Sequence, residues 1–246
     1  MIFVTGDLHV PYHVDGLFQL KEKFPFLTKK DYVIVAGDFG GCFTDHTWEY
    51  LKKMMEQLPF TLLFVDGNHE NFSRLNSFPV EEWNGGKIHV LLPDVFHLMR
   101  GQIFSIEGKT FFTLGGAEST DRDGRTEGFD WWKEESITEE DVEIARENLV
   151  KHQFQVDYVI THTMPSRYLY YPPFSQVSFG RANNSENALE HLRQIIDHRH
   201  WFFGHWHEDE SVSQGMTAVF RYIYQLNDDE EPTCVIKIDP PYKKAL

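Results

Sequence analysis

The sequence predicts an α/β protein: a sandwich of two mixed β-sheets with helices outside. Three observations carry this. Short apolar runs rich in β-branched and aromatic residues alternate with stretches of helical period. In the middle of the chain the alternation gives way to short strands joined by turns. Toward the C-terminus consecutive strands return. βαβ units flanking a β-meander are accommodated by two packed sheets with helical cover.

In chain order, Ile2–Thr5, Tyr32–Ala36 and Thr61–Val65 read as buried strands. Between the last two, Trp48, Leu51, Met55 and Leu58 recur at spacings of three and four and mark one face of a helix. Lys87–Leu92, Gln102–Ile106 and Lys109–Leu114 are the short strands of the middle, the last two joined at Glu107-Gly108. Val142, Ala145 and Leu149 give a second helix, with Ser136 and Thr138 ahead of it and Glu139 and Asp141 three residues on, the pattern of an N-terminal cap. Tyr158–Thr161 is the next buried strand. Ser185 opens a third helix with Ala188, Leu189, Leu192, Ile195 and Ile196 on one face, and Trp201–Phe203 follows as a strand. Thr217–Leu226 and Thr233–Ile238 close the chain as strands split by the acidic segment Asn227–Glu231. No repeat, low-complexity segment or long linker interrupts the 246 residues, so residues 1–246 read as one domain.

Composition narrows the function. Lys and Arg number 23 against 38 Asp and Glu, a net charge of −15, which repels phosphates and speaks against a non-specific nucleic-acid coat. An aromatic content of 15% is too apolar for a disordered chain. No apolar run approaches the roughly 20 residues of a membrane-spanning helix, so no membrane partner is expected. Two cysteines, Cys42 and Cys234, cannot form a disulfide scaffold. Met1–Asp7 lacks the basic start and apolar stretch of a signal peptide, so the expected compartment is the reducing cytoplasm.

The chemistry collects at strand ends. Asp7 and His9 follow the first strand, Gly37-Asp38 the second and Gly67-Asn68-His69-Glu70 the third. His162 follows Tyr158–Thr161, and Gly204-His205-Trp206-His207 follows Trp201–Phe203. The carboxyl ends of strands in α/β sheets are where binding sites form. Asp, His and Asn are ligands for Mn²⁺, Fe or Zn²⁺, and the absence of cysteine from these blocks excludes a soft thiolate site. Asp7, His9, Asp38, Asn68, His162, His205 and His207 are seven candidate ligands, a set more naturally shared by two ions than held by one. In an extended segment Asp7 and His9 point to one side, as do His205 and His207.

The five blocks, with His162 inside Thr-His-Thr-x-Pro, resemble the calcineurin-like metallophosphoesterase family. They stand in that family's order from residue 7 to residue 207. The resemblance implies a four-layer α/β/β/α sandwich around a dinuclear metal centre. Carried over, Asp7, His9 and His207 hold one metal, Asn68, His162 and His205 hold the other, and Asp38 bridges them. It also implies hydrolysis of a phosphomonoester or phosphodiester by in-line attack of a metal-bridging hydroxide. His69 then contacts the phosphate or assists the leaving oxygen, a role open to an imidazole. Two divalent ions are the implied cofactors: Mn²⁺ first, with Fe, Zn²⁺, Ni²⁺ and Co²⁺ chemically allowed. The expected partner is a small, nucleotide-like phosphoester. One departure stands out: many members carry a second acidic residue where this chain has Gly41, and in them it orients the catalytic histidine. Asp45 and Glu70 are the nearest substitutes.

Each block alone has a plainer reading as a turn, a capping residue or a hydrogen-bonded core histidine; five such readings at five strand ends are needed together to remove the site. A serine/threonine protein phosphatase is the alternative enzyme, set back by the missing second-block Asp. A non-catalytic scaffold fits less well, because every ligand position and His69 are present. His13, His46, His89, His97, His152, His191, His198 and His200 read as surface or capping residues, and Cys42 as a small buried one. Arg122 and Arg125 in the loop Gly115–Trp132 are either phosphate contacts or members of solvated Asp/Arg pairs. The aromatic segment Met164–Gly180 forms a lid, a pocket wall or an oligomer contact. Arg181, Asn183 and Asn184 end it as substrate contacts, or Asn184 and Ser185 cap the next helix.

Overall fold

Strand β1 (Ile2–Thr5) sends Phe3 into one apolar cluster and Ile2 and Val4 into another. Side chains alternate across a strand, so this sheet is apolar on both faces and needs cover on both. The same division holds in β2 (Tyr32–Val35), where Val33 and Val35 face one way and Ile34 the other, and in β3 (Thr61–Phe64). The computed structural model describes residues 1–176, 182–228 and 231–238.

The remaining strands are β4 (Val80–Trp83), β5 (Gly86–Leu92), β6 (Val95–Leu98), β7 (Gln102–Ile106), β8 (Lys109–Leu114), β9 (Gln155–Thr161) and β10 (Asp197–Phe203). They end with β11 (Glu210–Ser213), β12 (Met216–Ala218), β13 (Ile223–Leu226) and β14 (Thr233–Ile236). One sheet has the order β14-β13-β1-β2-β3-β6-β5-β4, the other β11-β12-β10-β9-β8-β7. Both are mixed: β1, β2, β3 and β6 run parallel in the first, as do β12, β10, β9 and β8 in the second, with antiparallel strands beyond them.

The sheets pack face to face over Val4, Ile34, Leu63, Phe111, Ile160 and Phe202. On the outer face of the first lie helices α1 (Asp15–Lys23) and α2 (Asp45–Met55), contributing Leu17, Leu20, Leu51 and Met54. The short α3 (Phe72–Leu75) follows β3. On the outer face of the second lie α4 (Glu139–Lys151) and α5 (Asn184–Arg193), contributing Ala145, Leu149, Leu189 and Leu192. Three apolar cores thus separate four layers, α/β/β/α. Thr138 caps α4: its side chain accepts from the Asp141 amide while the Asp141 carboxylate accepts from the Thr138 amide.

The structure changes several expectations. Thr217–Leu226 is two strands in different sheets, because the Asp209 carboxylate accepts the backbone N–H groups of Phe220, Arg221 and Tyr222 and takes them out of any ladder. The third helix is capped by Asn183, whose side chain accepts from the Glu186 amide, and not by Asn184 or Ser185, which lie in its first turn. Ser185 sits buried in the first turn and accepts from the Ile137 amide. Ile195 and Ile196 lie beyond the helix end. His89, His97 and His200 are buried, not surface residues. Among the described residues no helix is long and apolar enough to cross a membrane.

Candidate metal centre

The parallel strands of both sheets end at one edge, and there the five blocks meet. Asp7, Asp38 and Asn68 come from the first sheet and His162, His205 and His207 from the second. The structure brings all seven expected ligands together. Asp7, His9, Asp38 and His207 each offer a donor atom, all within 4.8 Å of one another. Asn68 Oδ1 lies 3.2 Å from His162 Nε2 and 2.9 Å from His205 Nδ1. Asp38 stands between the two groups: Oδ2 is 3.4 Å from His9 Nε2 and Oδ1 is 3.1 Å from His162 Nε2.

The backbone is bent to achieve this. Asp7, His9, Asp38, His205 and His207 have φ of 46°, 39°, 48°, 71° and 52°, a left-handed region that side chains other than glycine rarely adopt. Such strain clusters where a function requires it. Space is equally tight: a Cβ at Gly37 would collide with the His162 ring, and one at Gly67 with the Asp38 carboxylate.

The hydrogen bonds around these residues fix which atoms face inward. His162 Nδ1 donates to the Ala36 carbonyl at 2.8 Å, so its Nε2 edge points at Asp38 and Asn68. The Asn68 amide nitrogen donates to Ser119 Oγ, which donates to the buried Glu135 carboxylate, so Asn68 Oδ1 also points inward. His205's amide donates to the Asp7 carboxylate and His69's amide to Asp38 Oδ1. Nitrogen and oxygen atoms able to act as ligands therefore crowd the interior of the cluster. That donor set fits divalent cations, with nitrogen and oxygen ligands of the kind Mn²⁺, Fe or Zn²⁺ take.

The electrostatics agree. Burial holds His9 and His205 at about 3 and His207 at about 4, leaving three neutral imidazoles. Burial raises the Asp7 carboxyl. Burial also opposes charge on Asp38 and His162, but their mutual attraction prevails: Asp38 is held well below the usual range and His162 raised to about 9. A cation in this position would replace the His162 proton.

His69 lies beside the cluster, its ring centroid 5.2 Å from that of His9. Neither expected carboxylate partner reaches its ring. Glu70 accepts the amides of Phe39 and Gly40, and Asp45 pairs with Arg74. Arg125 approaches instead, with Nη1 3.4 Å from His69 Nδ1. Arg122 is committed elsewhere: its guanidinium pairs with Glu135 and lies over Trp131, which places it behind Asn68 as a support. Arg181 lies outside the described residues. Of the aromatic segment, 164–176 is described. Leu169 and Phe174 are buried against the second outer core, and Tyr170 and Tyr171 are exposed. Cys42 is buried with its thiol pushed up, as suits a core residue. Ser119 and Glu135, which orient Asn68, were not found by sequence reasoning, since no spacing connects them to a ligand block. His13, read as a surface residue, places Nδ1 3.0 Å from the Asp7 carbonyl.

Residues 1–209 match the family model of calcineurin-like phosphoesterases. The chain belongs to this family. The family is one of phosphoric ester hydrolases that use a dinuclear divalent metal centre. A curated relative, the lariat debranching enzyme of Schizosaccharomyces pombe, is 24% identical over 251 residues, covering 91% of this chain and 50% of the relative. The chain thus spans about half the length of that relative. Among solved structures, the phosphopantetheinyl hydrolase of Mycobacterium tuberculosis aligns over 89% of each chain at 14% identity and a TM-score of 0.37.

Proposed function

We propose that this calcineurin-like phosphoesterase hydrolyses a small, nucleotide-like phosphomonoester or phosphodiester with two divalent metal ions. The observation that carries this reading is the convergence of seven donor residues, with the two oxygens of Asp38 turned to two separate groups of them. Asp7, His9 and His207 would hold one ion, Asn68, His162 and His205 the other, and Asp38 both. When bound, such a pair supplies Lewis-acid polarisation of phosphoryl oxygens and an acidified water. Mn²⁺ is the first choice for this nitrogen and oxygen set.

The chain's own residues do the rest. Ser119 and Glu135 fix the Asn68 amide, and Ala36 fixes the His162 ring. His69, held by its amide on Asp38, presents its ring to a cavity of about 640 Å³ and stabilises the leaving oxygen there. Tyr12, Phe43 and His46 line the same cavity, a surface suited to a flat base or an aromatic leaving group. Among the described residues no Lys or Arg lines it, which favours a small ester over a polyanion.

The test is Mn²⁺-dependent hydrolysis of a nitrophenyl phosphomonoester against the matching bis-nitrophenyl diester. Turnover that is lost on chelation and restored by Mn²⁺ supports the proposal, and the ratio of the two rates selects the natural substrates to screen. A lariat phosphodiester belongs in that screen because of the fission-yeast relative. Metal-loaded protein that turns over neither ester contradicts the proposal.

A further inference from the structure

We propose that Arg125 holds His69 as its Nε2–H tautomer, so that His69 serves hydrolysis as a hydrogen-bond donor and not as an acid. The inference rests on the metallophosphoesterase reading above and specifies what His69 does within it.

An imidazole is ordinarily oriented by an acceptor that takes its Nδ1–H. Among the described residues no carboxylate does this for His69. Asp38 accepts the His69 backbone amide, Glu70 accepts the amides of Phe39 and Gly40, and Asp45 pairs with Arg74. Nδ1 instead faces Arg125 Nη1 at 3.4 Å. A guanidinium has donors and no acceptor, so the contact is attractive only if Nδ1 carries its lone pair. The ring then keeps its one proton on Nε2, on the opposite edge. An imidazolium would set two donors against each other and break the contact.

Arg125 is itself fixed independently of any substrate. Its Nη2 donates to the Asp121 carboxylate at 2.9 Å, and Nη1 also donates to the Asp130 carbonyl at 3.1 Å. Both terminal nitrogens therefore hold a partner within the loop, which fixes the guanidinium beside His69. A hydrogen bond received at Nδ1 also polarises the ring and strengthens donation from Nε2.

The proton balance follows. The bond from phosphorus to the leaving oxygen breaks and a bond from phosphorus to a water oxygen forms. The attacking water loses a proton and the leaving alkoxide gains one from solvent. His69 begins and ends the cycle with its Nε2 proton. Arg125 is thus a positioning residue, acting through His69.

Two readouts test this. In protein labelled with ¹⁵N-histidine and loaded with diamagnetic Zn²⁺, the His69 resonances, assigned by their loss in His69→Asn, should show the Nε2–H tautomer. Arg125→Met should shift them toward the Nδ1–H form, and Arg125→Lys should restore part of the original pattern. In kinetics with nitrophenyl and phenyl phosphate, Arg125→Met should lower kcat about tenfold, the loss of one hydrogen bond to a charged centre, with KM within about twofold. The double variant should be no slower than His69→Asn alone. The factor lost in His69→Asn should match on the two esters, because no proton transfer to the poorer leaving group is removed. A wild-type Nδ1–H tautomer, a rise in KM at constant kcat in Arg125→Met, or a selective loss on phenyl phosphate in His69→Asn would each overturn the proposal. Wild-type protein inactive on both esters would instead contradict the hydrolase reading, and the ¹⁵N spectrum would still decide the tautomer.

Discussion

Two buried histidine–carboxylate clusters lie close together in this fold and use the same residue types to opposite effect. In the first, Asp66 at the end of β3 accepts Arg100 Nε at 2.9 Å, Arg100 Nη2 at 2.6 Å and His97 Nε2 at 3.1 Å. His97 Nδ1 then faces His89 Nδ1 at 2.9 Å, one giving and the other receiving. The other N–H groups of Arg100 go to Asp141 and to the carbonyls of Glu134 and Ser136. Burial opposes charge on Asp66, but Arg100 outweighs it and holds the carboxyl well below its usual range. In the second cluster, around Asp38, the ligand edges of His162, Asn68 and His205 all turn inward, and the proton shared by His162 and Asp38 is the one a cation would displace. A cavity of about 640 Å³ adjoins each. Cavity size does not tell them apart; the balance of donors and acceptors does. The closed network ties β3 to the loop before α4, and the open one gathers the residues that could hold cations.

The largest effect is expected at Asp38. Asp38→Asn removes the one charge shared by both donor groups and should cut turnover about a thousandfold or more, with loss of bound metal. Turnover within a few fold of wild type would erase the distinction between the clusters.

The matching substitution in the closed cluster is Arg100→Met, which leaves Asp66 buried without its cation. It should cost about 3–5 kcal/mol in denaturant unfolding, while metal content and activity per folded molecule stay within about threefold. Loss of metal with unchanged stability would reverse the assignment of roles.

Ser119→Ala is smaller. It frees the Asn68 amide to rotate and should weaken binding of one metal equivalent about 10- to 100-fold, with the other unaffected. Equilibrium dialysis at graded Mn²⁺ concentrations measures this directly.

The smallest effect is a pH slope. Burial lowers His89 from its ordinary 6.5 to about 4. Between those values the unfolded chain binds a proton that the folded one does not, so His89 supports folding above pH 6.5 and that support is lost as pH falls toward 4. Unfolding at several pH values should show a shallower slope in His89→Gln than in wild type. An identical slope would remove His89 from the closed network as an acid-sensitive member.

The sequence made the open cluster legible and hid the closed one, for a physical reason. Each ligand follows a buried strand directly, so strand and ligand are read in one pass: Thr5 then Asp7, Val35 then Asp38, Thr161 then His162. The closed cluster depends on β6, only four residues long, whose His97 pairs across to His89 in β5. Without β6 in view, His89 has no neighbour and reads as exposed. Ser119 and Glu135 were illegible because loop residues carry no period. The break between β12 and β13 is set by Asp209, eleven residues before the first amide it accepts. The left-handed backbone at five of the ligands is likewise a property of the assembled strand ends, invisible to a pattern of residue types.

Occupation of the open cluster by two cations is what the placement of Asp38 between the two donor groups leads us to propose. Its most direct test is the metal stoichiometry of purified protein dialysed against Mn²⁺, read by elemental analysis beside Asp38→Asn. Two equivalents per chain in wild type, falling to one or none in the variant, is the predicted result. Wild-type protein that binds no Mn²⁺, or a variant that still binds two, would contradict it.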